Sequence, residues 1–444
     1  MSSFSQFEIK FKIKGANNSE IYLGHHYGNE RILIDTIRTN KKGKAVYKGN
    51  TELKKGIYLA VVPNHYYFEF LVADSKRFSL QTNVEDFVYN MKTKGCKENL
   101  IFNNYQRFMM SQFKKRKNLE TRRKQNINNM DSLILIEEES EKIFQQNEAG
   151  WKEILTTNSG TFFSKIIMAM VEVEIPENIS STRDSALINE YYQKHFFDNI
   201  DFSENGLLNS SIYFKRIYSY FTGYYTMHPD SIIEGARFLL NKLEDYPVFR
   251  EYTGNFILDF QEHTGNMSME KVFMEIAGEF YLTEKIQTDS LNNLYIREKL
   301  IRNVPNQYGS IGKNLVLEST SGEYFSLHQV NADFTILLFY EPDCGFCKTE
   351  VPAINKLYQK YQKSGIEVYA VNTNTDKEEW INYIEENDLN WINTWDSDNI
   401  SNYQYLYFVD ITPTIYLLNK NKEIIGKKVN SRYLENFFRN YYGY

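Results

Sequence analysis

Two cysteines separated by two residues, Cys344-Gly345-Phe346-Cys347, are the part of this sequence best spaced for chemistry. Thiols at that spacing can close a disulfide, or one can attack a foreign disulfide while the other releases the product. The flanking pattern says how they are held. Phe334–Tyr340 is a short apolar and aromatic run with no helical period, as in a buried strand. Glu341, Pro342 and Asp343 break it. From Lys348 onward, Val351, Ile354, Leu357, Tyr358 and Tyr361 share one helical face. Cys344 thus falls at a helix N-terminus, where unpaired N–H groups and the helix dipole favour a thiolate. Cys344 reads as the attacking thiolate and Cys347 as the resolving thiol. Half of a zinc site, or two inert core thiols, are the alternatives. Zinc needs about four ligands; no second cysteine pair exists and no histidine follows His328. No metal and no cofactor are expected.

The other elements must position this pair. The 444 residues suffice for two to four domains, and 42% hydrophobic with 24% charged is a globular composition. A net charge of −6 argues against a nucleic-acid partner. The basic stretch 114–124 reads as a solvated helix face, with the acidic stretch 137–141 lying against it in a helical hairpin. Three cysteines, one pair and the distant Cys96, do not make a disulfide scaffold. Cys96 reads as a lone buried or half-buried thiol; the alternative is a contact with the redox domain or an intermolecular disulfide. No apolar run reaches the length of a membrane span.

Residues 4–95 alternate apolar and polar in seven short runs (6–14, 20–24, 31–37, 44–48, 57–62, 66–72 and 77–82), which predicts a small sandwich or barrel. His25 and His26, adjacent on a strand, point to opposite faces and so do not form a metal site. Residues 98–304 turn helical, with helices expected at 161–173, 181–197, 210–225, 230–242, 246–264, 267–280 and 291–303. His195, His228 and His263 are scattered along them and read as structural. A linker is expected at 305–313, followed by an α/β pattern. That pattern has a hairpin at 315–327, a strand at 366–371, helices at 376–386 (opened by Thr375) and 399–405, a hairpin at 414–425 and a last helix at 431–441. The expected domains are 1–96, 97–304 and 305–444.

Thr412-Pro413 stands immediately before a strand, about seventy residues after the cysteine pair. Together with the Ser321–Leu327 segment, the buried strand, Glu350, Pro352 and the following hairpin, it makes residues 309–444 resemble a thioredoxin-like domain of the TlpA/ResA type, the exported thiol-disulfide oxidoreductases. The whole chain resembles multidomain Bacteroidetes proteins with an N-terminal β-module of unknown function, a helical middle and such a redox domain. The resemblance implies a thioredoxin-like fold, a cis bond at Pro413, and Thr412 offering backbone hydrogen bonds to an extended substrate. It implies that Gly345 and Phe346 meet the substrate and that Glu350 takes a proton from Cys347. It also implies a protein disulfide as substrate, an electron-donor protein, work like that in cytochrome c biogenesis, and a periplasmic location near a membrane, with residues 3–6 ending a cleaved export signal. Three features depart from the family. The dipeptide between the cysteines is Gly345-Phe346 and not Gly-Pro, which leaves the direction of electron transfer open. Glu341-Pro342-Asp343 replaces the usual Trp before the first cysteine, and Asp343 should oppose ionisation of Cys344. The alternatives are a thiol peroxidase of the peroxiredoxin branch and a partner-binding or assembly protein with an accessory redox domain.

Overall fold

The computed structural model describes residues 6–374 and 376–443; the residues before Gln6, and Thr375, lie outside them. Contacts divide the chain into two units, residues 1–226 and 227–444, so the division falls inside the stretch expected to be the helical domain.

The first unit opens with eight strands: β1 (Phe7–Lys14), β2 (Glu20–Tyr27), β3 (Glu30–Arg38), β4 (Lys44–Gly49), β5 (Gly56–Val61), β6 (Tyr67–Val72), β7 (Arg77–Asn83) and β8 (Lys92–Lys94). They form two four-stranded sheets, β4-β1-β7-β8 and β3-β2-β5-β6. Alternation decides which side chains enter the core between them. Phe7, Ile9, Phe11 and Ile13 of β1 meet Ile21 and Leu23 of β2 and Phe68 and Phe70 of β6. The fold is therefore a sandwich. The three-residue β8, with no apolar side chain, escapes detection by period; its pairing with β7 defines it.

The thiol of Cys96 is structural. It caps the first helix, accepting from Asn99 N at 3.4 Å and Asn99 Nδ2 at 3.3 Å. Asn99 in turn bonds both backbone groups of Leu71, at 2.7 and 2.8 Å. Cys96 is 5% exposed, so the expected alternative of an intermolecular disulfide through it is not available to the folded chain. Cys96→Ala is expected to cost about 1 kcal/mol in chemical denaturation, the usual worth of a helix cap, and to leave thiol exchange unchanged.

Helices α1 (Lys97–Gln125) and α2 (Met130–Thr157) form the expected hairpin. Leu119, Ile136 and Ile143 fill its seam. Arg122 forks onto Glu139 at 2.7 and 2.9 Å, and Arg123 pairs with Glu137. These contacts between basic and acidic stretches account for the run at 114–124 as part of a helix face. Short helices α3 (Phe162–Met168), α4 (Glu177–Ser180), α5 (Ser185–His195) and α6 (Ile212–Tyr224) complete the unit.

The second unit begins with α7 (Pro229–Lys242), α8 (Pro247–Glu262), α9 (Glu270–Ile276) and α10 (Ser290–Asn303). The expected helix at 267–280 is interrupted, with a 3₁₀ turn before α9 and a π turn, Ala277–Tyr281, after it. There follow β9 (Val316–Ser319), β10 (Tyr324–Ser326), β11 (Phe334–Tyr340), α11 (Cys347–Tyr361), β12 (Ile366–Asn372), α12 (Lys377–Glu386), β13 (Ile392–Trp395), α13 (Tyr403–Leu406), β14 (Thr414–Asn419), β15 (Ile424–Lys427) and α14 (Ser431–Tyr442). The sheet runs β10-β9-β13-β12-β11-β14-β15. All seven residues of β11 are buried, since it lies in the sheet interior and both of its faces are covered.

Three sequence expectations change here. Residues 305–313 are not a free linker: Gly309 N donates to Ile424 O and Ile424 N to Ser310 O, both at 2.8 Å, so the segment runs along β15. The strand β13 was not expected, because Asn393 and Thr394 interrupt its apolar pattern. The tertiary structure pairs it with β12 and β9, and Thr394 Oγ1 donates to Ala370 O at 2.8 Å. The helix expected at 399–405 shortens to α13, because the Asp396 carboxylate gathers the Ile400 and Ser401 amides into a turn.

Helices α7–α10 are joined to the redox sheet. Lys427 Nζ donates to Glu270 Oε1 at 2.5 Å and to Asn303 Oδ1 at 2.8 Å, and Arg302 pairs with Asp410, two residues before Thr412.

Candidate dithiol site

Register brings the two halves of the site together. β11 pairs with β14 so that Phe339 faces Thr414, and with β12 so that Tyr340 faces Asn372. The loop after β11 and the loop before β14 therefore emerge at the same end of the sheet. One carries Cys344 and the other Pro413. The Thr412–Pro413 bond is cis.

Cys344 Sγ lies 3.1 Å from the carbonyl oxygen of Thr412, to which the thiol donates. It accepts from the backbone N–H of Cys347 at 3.3 Å. That amide is one of the unpaired donors at the start of α11. Burial opposes ionisation of Cys344. Hydrogen bonds from the side chains of Cys347 and Thr412 and from the backbone of Cys347 and Phe346 outweigh it and hold the thiol below its ordinary value. The opposing effect expected of the exposed Asp343 does not reverse this direction. Cys347 is wholly buried. Burial first, and then its hydrogen bond with Cys344, push its thiol up to about 12. Both cysteines are free thiols. The pair is asymmetric: one accessible thiol poised to ionise, one enclosed thiol held protonated.

Gly345 and Phe346 cap the loop at the surface, and Phe346 is 79% exposed. Ile411, beside Thr412, is 75% exposed and was not singled out from the sequence, where a lone Ile in a loop carries no signal. Phe346 after Cys344 and Ile411 at the proline loop thus set two exposed apolar side chains beside the thiol, with the charged Asp343 on its other flank.

Glu350 is not brought to the dithiol by any hydrogen bond among the described residues. Its carboxylate accepts from Ser431 N at 2.7 Å, at the start of α14. The amide of another helix terminus thus holds one oxygen of the carboxylate expected to take the proton of Cys347. Glu350→Gln keeps an acceptor for Ser431 and removes the charge. It is expected to slow release of the mixed disulfide about tenfold in stopped flow, as loss of a proton acceptor would; a rate within about twofold of the parent removes that role and leaves the bond to Ser431.

Two groups missed from sequence lie near the thiols. The hydroxyl of Tyr383, on α12, is buried without a hydrogen-bond partner, and its ring packs on the cluster that holds Cys347. Burial and the two nearby sulfurs raise it to about 12. Glu341 accepts from Thr373 Oγ1 at 2.8 Å, which ties the end of β11 to the residue after β12. Nothing in their spacing from the cysteines announces either.

The histidines are dispersed as expected. His26 Nε2 meets Glu69 at 3.0 Å, and His25 Nδ1 the carbonyl of His26 at 2.7 Å. His195 pairs with Asp198 at 2.7 Å, and His263 with the Asp259 carbonyl at 3.0 Å. No helix among the described residues is long and apolar enough to cross a membrane.

Parts of the chain are similar to known proteins. Residues 309–427 match the AhpC/TSA family and residues 7–102 a domain of unknown function, DUF4369. The thiol-disulfide oxidoreductase ResA of Halalkalibacterium halodurans is 29% identical over 117 residues, covering 26% of this chain and 65% of that protein. A thioredoxin-like protein of Haemophilus influenzae is 32% identical over 110 residues, covering 24% and 62%. The chain thus spans somewhat under two thirds of the length of these relatives. Among solved structures, a domain of a possible thiol-disulfide isomerase from Cytophaga hutchinsonii is 35% identical, covering 32% of this chain and 97% of that one, with a TM-score of 0.30. A thioredoxin-like protein from Bacteroides caccae is 19% identical, covering 61% and 98%, with a TM-score of 0.44. The chain is a multidomain protein in which a DUF4369 module precedes a thioredoxin-like domain of the AhpC/TSA family, with ResA thiol-disulfide oxidoreductases among that domain's relatives.

Proposed function

We propose that this chain is a thiol-disulfide oxidoreductase that reduces or isomerises protein disulfides through Cys344 and Cys347. The asymmetry of the dithiol carries the reading: an accessible thiol held below its ordinary value beside a buried one held near 12. The Cys344 thiolate attacks a substrate disulfide, forming a mixed disulfide and releasing one substrate thiolate. Cys347 then attacks Cys344 Sγ, its proton passing to the departing substrate sulfur. The Cys344–Cys347 disulfide forms and the second substrate thiol leaves, so two electrons pass to the substrate. A dithiol donor protein must return them. During the exchange the Thr412 backbone pairs with an extended substrate segment beside the cis proline, and Gly345, Phe346 and Ile411 pack against it.

The resemblance to exported oxidoreductases supports a place in the cell envelope and work like that in cytochrome c biogenesis. Domain limits near 1–96, 97–304 and 305–444, with the first two selecting or holding a partner, suit the same reading. The test is reduction of a protein disulfide such as insulin by the reduced chain, with hydrogen peroxide as the comparison oxidant. Faster consumption of the protein disulfide supports the proposal, and faster consumption of peroxide replaces it with a thiol peroxidase. Equilibration with glutathione and dithiothreitol buffers then gives the direction: a potential near about −270 mV marks a reductase and one near about −120 mV an oxidant.

A further inference from the structure

The α1–α2 hairpin has a face of exposed apolar and charged side chains, and we propose that it pairs with the same face of a second copy to form a four-helix bundle. The hairpin has two sides, and its own ion pairs mark them. Arg122–Glu139 bridges the seam on one side and Arg123–Glu137 on the other. Helical spacing places Phe113, Lys117 and Lys124 of α1, and Met130, Glu141 and Phe144 of α2, on the Arg123–Glu137 side. Phe113 is 62% exposed, Met130 72% and Phe144 51%. Large apolar side chains repeated along one exposed face of two long helices mark an interaction surface.

Charge identifies the partner. α1 carries nine Lys or Arg and two Glu; α2 carries seven Asp or Glu and two Lys. A partner for this face must present an acidic helix against α1 and a basic one against α2. A second hairpin, related by a two-fold axis parallel to the hairpin, presents both. The pairs Arg123–Glu137 and Gln112–Gln146 set the levels of the two helices. Between them Lys117 stands level with Glu141, and Phe113 close to the level of Phe144. The two-fold therefore sets Lys117 of one copy against Glu141 of the other, and brings the Phe113 and Phe144 pairs of both copies into one cluster. Lys117 and Glu141 make no ion pair among the described residues of the single chain. At 1.5 Å per residue, the free length of two adjacent helices offers on the order of 700 Å² per copy, close to the ~800 Å² per partner of a standard interface. The face is self-complementary, as a two-fold interface must be.

The test is sedimentation equilibrium of the full chain in excess dithiothreitol, which removes any dimer linked through Cys344. The expected result is a dimer at micromolar concentration. Lys117→Glu and Glu141→Lys should each weaken it at least tenfold, and the double variant should restore it, because the reversed charges again face each other across the two-fold. Phe144→Asp should weaken it further with helicity by circular dichroism unchanged. A monomer at about 100 μM, or a dimer indifferent to these changes, overturns the proposal. Failure of the double variant to restore pairing overturns the two-fold arrangement.

Discussion

Cys344→Ser lowers the rate of protein-disulfide reduction at least about 1,000-fold, whereas Cys347→Ser leaves the first attack intact and traps the substrate as a mixed disulfide. The difference follows from what surrounds each sulfur. Cys344 receives the N–H of Cys347 at 3.3 Å and lies 3.1 Å from the Thr412 carbonyl at a partly open surface. Cys347 is enclosed, with its thiol held near 12. Serine at 344 supplies no nucleophile at neutral pH. Serine at 347 cannot attack Cys344 Sγ, so mass spectrometry should show the Cys344-linked substrate accumulating to one equivalent. Rapid turnover by Cys344→Ser would remove the proposed role.

The pH dependence of alkylation reads the same asymmetry. In the reduced chain, iodoacetamide should modify Cys344 with a midpoint below the ordinary thiol value of about 8.5, while Cys347 stays unmodified through pH 10. Stability follows with opposite signs. Cys344, lowered on folding, adds stability that is full above the unfolded value and is lost as pH falls through the folded one. Cys347, raised on folding, withdraws stability as pH climbs from about 8.5 toward about 12. Thermal melts of the reduced chain should therefore decline above pH 9 faster than those of the oxidised chain, which has neither thiol to titrate.

Trp380→Ala should destabilise the second unit by about 3–5 kcal/mol, the usual cost of deleting a large buried aromatic side chain. Trp380 is fully buried in the cluster that contains Cys347, and it stacks on Trp395 with ring centroids 6.1 Å apart. Its Nε1 donates to Tyr340 Oη at 3.0 Å, so truncation also strips a buried hydroxyl of its donor. For a unit of this size each kcal/mol moves the midpoint by about 2–4 °C, so calorimetry should show a fall of roughly 6–20 °C. Trp380→Phe keeps an aromatic ring and loses the donor, and should cost less than half as much. A loss under about 1 kcal/mol for the alanine variant would mean that the cluster repacks around the vacancy.

Much of the catalytic half was legible in the residues themselves. Phe334–Tyr340 reads as a buried strand because seven residues with a single polar side chain, Thr335, and turn residues after them leave no polar face to give to water. The helix after Cys347 followed from the spacing of Val351, Ile354 and Leu357, all buried on one side. The alternation Phe7, Ile9, Phe11, Ile13 likewise specified the sandwich face of β1. These are local signals: each element's burial is written in its own period.

What the sequence left open depends on groups far apart in the chain. Glu350 stands at the spacing of a catalytic base, and only the placement of α14 shows its carboxylate taken by Ser431 N, eighty-one residues away. Tyr383 and Ile411 carry no motif, and reach the site because α12 and the loop before β14 pack or open there. Cys96 could have been a reactive thiol by sequence; folding makes it a helix cap against Leu71. The sequence by itself determined which residues could exchange disulfides and which strongly periodic stretches would be strand or helix, because thiol spacing and side-chain period are properties of adjacent residues; β8 and β13, without such a period, were decided by their pairing. The tertiary structure alone decided which thiol is open, which is enclosed and which carboxylate is already bonded, because burial and hydrogen-bond partners are set by elements that meet only when the chain folds.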